Sequence, residues 1–298
     1  MNLPAGLAAA LEPLLGGAPR QVRSVSGGDI SQAARVEAGS DAFLVKWHTN
    51  PPRPQPGWPG MFDAEARGLQ LLASTKTLRV PKVLGFGEPA GVSPAFIVTE
   101  WIERGGDSQP AAAALGEGLA ALHRHAAATY GLDHHNYCGA TPQDNTPCQS
   151  WIEFYGERRL GYQLELAVRH GLMPRPRRKR LERVIASLDR WIDETACRPS
   201  LLHGDLWGGN WLAGADEEPV LIDPAVYYGD REAELAMCRL FGGFLPDFYY
   251  AYDRAWPPAP GRDERVQLYQ LYHILNHLNL FGEGYGGQVD AILRRYVG

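Results

Sequence analysis

Apolar positions divide the chain into two parts with different periods. Up to about residue 102 they form short runs broken by turns: "QVRSV" (21–25), then "ARVEAGSDAFLVKWH", where Val36 and the Phe43, Leu44, Val45 run flank a "GSD" turn and predict a hairpin. The stretch "NPPRPQPGWPG" (50–60) holds too much proline for regular structure and predicts an exposed loop. A single helical pattern follows, "MFDAEARGLQLLAST", with Phe62, Leu69 and Leu72 on one stripe. "VPKVLGFGE" and "PAFIVTEWIE" then predict two more strands. Beyond "RGGDSQP" the period turns helical over long stretches, 111–128, 151–170, 178–195 and 265–281. This predicts an α+β chain of two lobes. Residues 1–104 would form a small antiparallel-sheet lobe with one helix, 105–298 a larger and mainly helical lobe, and the linker would lie near 99–104.

Polar residues that break this pattern carry the chemistry. Glu65 falls on the apolar stripe, between Phe62 and Leu69, and a carboxylate on a buried face needs a partner. Within the helical part, two short apolar strands each close on an aspartate, "SLLHGD" at Asp205 and "PVLIDP" at Asp223. Asn210 follows Asp205 at the spacing that separates base from metal-binding amide in the protein-kinase catalytic loop, and Asp223 then stands for the second metal-binding acid. Transfer of a γ-phosphoryl group needs hard oxygen ligands for Mg²⁺ and a group to take the acceptor's proton, which these three side chains supply. Lys46, ending "FLVK", is the cation that Glu65 lacks, as in a kinase small lobe that positions the α/β-phosphates of ATP. Ahead of them "SGGDIS" offers the backbone of Gly27, Gly28 and Asp29 to phosphate, although it matches neither the kinase glycine-rich loop nor the Walker pattern. Singly, each feature has a plainer reading: a helix cap for Asp205, a surface lysine, a structural ion pair. Their order across the change of lobe points to phosphoryl transfer.

Composition narrows the partners. The 298 residues are 45% apolar and 21% charged with a formal net charge of -5, so the field favours neither nucleic acid nor an anionic membrane surface. The apolar start is interrupted by Pro4 and Pro13 and carries no basic residue before Arg20, so neither a signal peptide nor an anchor is expected, and no apolar run approaches about 18 residues. Cys138, Cys148, Cys197 and Cys238 form no CxxC pair, which predicts free thiols and a cytoplasmic setting. Cys138 and Cys148 lie near His134 and His135, but at none of the usual zinc spacings. The basic run "RPRRKR" (175–180) reads as a solvated helix start, with docking of an acidic protein as the sharper alternative.

"HGDLWGGN", "VLIDPAVYYGDREAELAM" and "LFGGF", with "GGDIS", "FLVK", "VPKVLGFG", "LAALH", "TPQDN", "LGYQLELA" and "LYQLYHILNHLNLFG", resemble the fructosamine kinase (ketosamine 3-kinase) family over nearly the whole chain. That family lies in the aminoglycoside-phosphotransferase-like branch of the bilobal protein-kinase-like fold. The resemblance implies ATP- and Mg²⁺-dependent phosphorylation of the 3-hydroxyl of fructosamines, ribulosamines or erythrulosamines, free or on protein lysines, as repair of glycated amines. It implies Asp205 as base, Asn210 and Asp223 as Mg²⁺ ligands, Lys46 and Glu65 at the phosphates, and the backbone of Glu100, Trp101 and Ile102 at the adenine. Many members carry a cysteine where this chain has Val226 and an aspartate where it has Glu234, and several carry a cysteine in the nucleotide loop where it has Asp29. Pro224 after Asp223, with no activation segment, argues against a Ser/Thr/Tyr protein kinase.

Around the two acids cluster Trp207, Trp211, Tyr227 and Tyr228. Trp211 and Tyr227 are expected in the core; Trp207 and Tyr228 are candidates for packing against the acceptor sugar, with Asp230 as a further contact or, alternatively, a cap of the next helix. Arg231 and Glu232 read as structural, and His273 and His277 as packed histidines that could line the acceptor side. The alternatives are a same-fold kinase for an aminoglycoside, choline or an amino alcohol, and a nucleotide-binding scaffold without turnover. Monomer and homodimer both remain open.

Overall fold

The computed structural model describes residues 1–25, 31–48, 50, 51, 54 and 56–298. The proposed phosphate turn at Gly27, Gly28 and Asp29 lies outside the described residues.

Helix α1 (Leu7–Leu15) precedes strands β1 (Gln21–Val25), β2 (Gln32–Ala38) and β3 (Asp41–His48). Then come α2 (Met61–Thr75), β4 (Val83–Gly87) and β5 (Ala95–Glu100). The five strands form one antiparallel sheet in the order β1-β2-β3-β5-β4. Pairing of Ala38 with Asp41 leaves only Gly39 and Ser40 in the expected turn, with Gly39 at φ 62°. The two-residue strand period sorts the side chains of β3. Val45 and Trp47 join Leu7 and Leu11 of α1 on one face. Lys46, opposite Ile97 in the ladder, turns to the other face, where Phe62, Ala66 and Leu69 of α2 pack. One alternation therefore aims the lysine at the helix that carries Glu65.

The chain leaves the ladder at Glu100 and meets the second lobe at once, where Gly105 N–H donates to the Ala213 carbonyl at 2.8 Å. There α3 (Gln109–Leu122) precedes the short strands β6 (Asn136–Cys138) and β7 (Thr141–Gln143). A single helical run then passes from α4 (Trp151–Glu153) through a π-helical segment (Phe154–Gly161) into α5 (Tyr162–Arg169), followed by α6 (Arg175–Ile185). Next come β8 (Ser200–Leu202), β9 (Trp211–Ala213), β10 (Pro219–Leu221) and β11 (Tyr227–Gly229). The helices α7 (Arg231–Leu240), α8 (Pro246–Ala255), α9 (Arg262–Phe281) and α10 (Gly286–Val297) complete the lobe. One apolar cluster joins the 151–169 run to α6, α9 and α10; a second joins α3 and α8 to β8–β10.

The ends of α3, α6, β8 and β10 differ from the sequence expectation. α3 stops at Leu122 because the chain beyond it turns to bond β8, with Leu201 N–H donating to His125 O at 2.8 Å and Ala127 N–H to Pro199 O at 3.0 Å. α6 stops at Ile185, where the Ser187 hydroxyl donates to the Arg183 carbonyl at 2.8 Å, and short 3₁₀ turns take the place of helix up to 195. Strands β8 and β10 end at Leu202 and Leu221, so Asp205 and Asp223 sit in the loops beyond and not at strand ends. The basic run is not wholly solvated either: Arg177 is buried and bonds both Glu283 and Asp290. No described helix is long and apolar enough to cross a membrane.

Candidate active site

Strand β9 pairs antiparallel with β10, and β8 with β11, so two loops are held side by side: 203–210 between β8 and β9, and 222–226 between β10 and β11. Ile222 N–H donates to Asn210 O at 3.0 Å, and Ala225 N–H to His203 O at 2.9 Å. The fully buried His203 ring fastens them further, with Nε2 2.8 Å from the Ile222 carbonyl and Nδ1 accepting from Asp205 N–H at 3.3 Å. Burial lowers its pKa, which keeps the ring neutral and suited to donating from one nitrogen and accepting at the other.

Below these loops lies Glu234, on the first turn of α7. Its Oε2 accepts from His203 N–H and its Oε1 from Gly204 N–H, each at 2.7 Å, and His123 Nε2 lies 3.1 Å from Oε2. Burial alone would raise the pKa of this carboxyl, but the bonds from His123 and the His203 backbone win and hold it below the usual carboxylate value. Gly204 has φ 87°, and a methyl group there would lie 2.0 Å from the Ala225 carbonyl oxygen, so backbone and space both require glycine.

The glycine pair that follows is needed for space. A methyl on Gly208 would meet Gly243 Cα at 2.7 Å, and one on Gly209 would strike the Trp207 indole at 2.2 Å. "LFGGF" is thus the surface on which the catalytic loop rests, and Trp207 lies folded over its own loop with 37% of its surface exposed.

On this frame the chemistry-bearing side chains converge. Asn210 Nδ2 donates to the Asp205 carbonyl at 2.8 Å and to Asp205 Oδ2 at 3.3 Å, so the amide Oδ1 takes no part in these bonds. Lys46 Nζ lies 2.6 Å from Glu65 Oε1 and 2.8 Å from Asp223 Oδ1, so one ammonium joins the sheet lobe to the metal-loop acid. Burial works against its charge, but Asp223 and Glu65 together raise its pKa above the ordinary lysine value. Glu65 is raised by burial in spite of Lys46. Asp223 adopts φ 55°, a left-handed conformation uncommon outside glycine. Asp205 is pushed up to about 8 by burial, then by the charges of Asp223 and Glu234. Glu65, Asp205 and Asp223 are three carboxylates with one ammonium among them. Together with the Asn210 amide they form a hard-oxygen set of the kind that takes Mg²⁺, whose charge would offset the surplus.

Other expected residues have different surroundings. Asp230 caps α7, accepting from Glu232 N–H at 3.1 Å, and takes the Tyr269 hydroxyl at 2.7 Å and the Cys197 thiol at 3.3 Å. Its carboxylate is committed to the fold. Tyr228 is half-buried, with its backbone bonded to Gly131 and its ring against the α3–α8 cluster. Trp211 and Tyr227 are buried as expected. In the linker, Glu100 N–H donates to Lys82 O at 2.8 Å and the Glu100 carboxylate takes Arg79, while Trp101 Nε1–H bonds Glu103 at 2.8 Å. His273 is buried beside Asp205, and His277 donates Nδ1–H to the His273 carbonyl at 2.8 Å among Phe241, Phe281 and Tyr285. The anchoring role of Glu234 was not foreseen; its one signal was a carboxylate on a helix whose neighbours Leu235, Ala236 and Met237 are all apolar.

The comparisons agree along the chain. Over 275 residues the chain is 43% identical to a probable ketoamine kinase of Synechocystis, covering 92% of this chain and 89% of that protein. It is 39% identical over 280 residues to the chloroplastic protein-ribulosamine 3-kinase of Arabidopsis thaliana, covering 93% and 82%. A crystal structure from Thermobifida fusca, assigned as a fructosamine-3-kinase, superposes with TM-score 0.85 at 34% identity over 97% of this chain and 98% of that one. The aminoglycoside phosphotransferase APH(4)-Ia, in its complex with ADP and hygromycin B, shares the fold alone, with TM-score 0.65 at 15% identity over 99% of this chain and all of that one. A model of the fructosamine kinase family matches residues 8–298, and the chain belongs to that family.

Proposed function

We propose that the protein is an ATP-dependent ketosamine 3-kinase, acting on fructosamines, ribulosamines or erythrulosamines, free or on protein lysines. The observation that carries this reading is the joint placement of Asp205, Asn210 and Asp223 on two cross-linked loops beside the Lys46–Glu65 pair. Lys46 holds phosphate oxygens and is itself held by Glu65. The Asn210 amide oxygen and the Asp223 carboxylate would hold Mg²⁺, which would supply charge neutralisation at the transferring phosphoryl group. Asp205 accepts the proton of the acceptor hydroxyl. Its raised proton affinity suits that role, because a base works best when its pKa lies near the working pH. Glu234 and His203 fix the loop that carries the Asp205 carboxylate, so that the base is held in place for the acceptor hydroxyl. Trp207, exposed above the glycines, offers an aromatic face to the sugar. The 100–102 backbone would hold the adenine, through groups other than the Glu100 N–H, which bonds Lys82 O.

A panel of acceptors tests this reading. ADP release with a ribulosamine or fructosamine, and little with aminoglycoside, choline or amino alcohols, is expected. Turnover confined to the second group would refute it.

A further inference from the structure

Behind the proposed base, three side chains from separate segments meet. Cys138 ends β6, His273 lies in the middle of α9, and Asp205 leaves the catalytic loop; a sulfur, a ring nitrogen and a carboxylate oxygen from them all lie within 4.8 Å of one another. His273 Nδ1 is 3.9 Å from Asp205 Oδ1. That nitrogen is buried and has no hydrogen-bond partner among the described residues, an uncommon state in a residue only 4% exposed. Burial, then His277, lower His273 to about 3, so the ring is neutral and can present a lone pair. Cys138 is 2% exposed; burial, then the charge of Asp205, push its thiol well above the usual value, and the Asn276 amide, which donates to the sulfur at 3.5 Å, offsets this only in part, so the proton must be displaced by the metal itself.

We propose that Cys138, His273 and Asp205 form a binding site for a thiophilic divalent cation of the zinc class, whose occupancy inhibits the enzyme by engaging the carboxylate that acts as base. The donor set decides the class. Thiolate, imidazole and carboxylate together suit zinc, whereas Mg²⁺ prefers oxygen ligands alone, so this site is chemically distinct from Asn210 and Asp223. Bonds of ordinary zinc length place tetrahedral ligand atoms roughly 3.3–3.7 Å apart, so the His273–Asp205 pair needs little contraction. Three protein ligands leave a fourth position open. Asp205 is more open to solvent than His273, its side chain 21% exposed against 5%. As the sulfur–metal bond forms, the thiol proton leaves to solvent, and any proton on Asp205 leaves with it. Because the ligands span residues 138 to 273, no local spacing announces the site.

The inhibitory half of the proposal rests on Asp205 being the base; the binding half does not. Cobalt(II), added to the full-length protein without nucleotide, is the probe. It should give the near-ultraviolet charge-transfer band of a thiolate ligand with intense tetrahedral d–d absorption at one equivalent, lost on adding Zn²⁺ and lost in Cys138→Ser. Absence of the band in the unaltered protein, or its persistence in Cys138→Ser, overturns the site whatever the acceptor proves to be. The Cys138 side chain bonds Asp205 in the parent, so Cys138→Ser is read against its own zinc-free turnover in kinase assays at fixed Mg·ATP with buffered free Zn²⁺. It and His273→Asn should need at least about tenfold more free zinc for half-inhibition, as expected when a ligand is lost. Equal zinc sensitivity in all three proteins would place the inhibition at the Mg²⁺ ligands or the nucleotide and overturn the regulatory half.

Discussion

At the residue scale, Asp205 is asked both to sit in a buried, negatively charged surrounding and to take a proton. Replacing it with asparagine removes the base and keeps the shape. Asp205→Asn should lower turnover by about 100- to 10,000-fold while changing the Kd for Mg·ATP little, as measured by steady-state kinetics and calorimetry. An equal loss in both would count against the base role. The same carboxyl makes a stability prediction for the metal-free protein. Its folded pKa, about 8, exceeds the ordinary 3.8, so its contribution is most favourable below the unfolded value and is lost as pH rises through the folded one. The Tm of Asp205→Asn relative to the parent should therefore rise steadily between about pH 5 and pH 8. A constant difference would show that the carboxyl titrates normally.

At the scale of elements, the catalytic loop owes its shape to α7 and the 242–243 turn as much as to its own sequence. Glu234→Gln replaces one acceptor by an NH₂ donor facing a backbone N–H of His203 or Gly204. It should cost about 2–5 kcal/mol of stability and lower turnover more than it raises the KM for ATP. Gly204→Ala should destabilise more than Gly209→Ala, because a carbonyl oxygen blocks the first and only a rotatable indole the second. Gly209→Ala should instead raise the acceptor KM by displacing Trp207. The motifs were legible because they are local: Asp205 to Asn210 is one loop, Asp223 lies on the next, and Lys46 and Glu65 stand out against regular patterns. What escaped notice depends on distant partners. The sequence leaves Asp230 open between an acceptor contact and a helix cap; Tyr269 and Cys197, from other segments, commit its carboxylate to the fold. The ends of α3 and α6 fail for a similar reason, since backbone bonding to β8 and a serine cap outweigh apolar periodicity.

At the scale of the whole molecule, the lobes meet through Lys46, which binds Glu65 of its own lobe and Asp223 of the other. A buried carboxylate deprived of its cation costs several kcal/mol unless it takes up a proton. Lys46→Met should therefore lose both stability and ATP affinity. Adding Glu65→Gln should recover much of the Tm without restoring turnover, because the phosphates still lack their cation. Recovery of turnover in the double variant would mean that the pair is only structural. The two-lobe division could be read from the change of period, but the joint itself could not, since it spans residues 46 to 223. The most direct measurement is the site of phosphorylation: a ribulosamine or fructosamine incubated with Mg·ATP and protein, with the product examined by ³¹P and ¹H NMR. Phosphate on the C3 oxygen, formed by the unaltered protein and not by Asp205→Asn, is the predicted result. Phosphate on another hydroxyl, or the same product at the same rate from the variant, would contradict it.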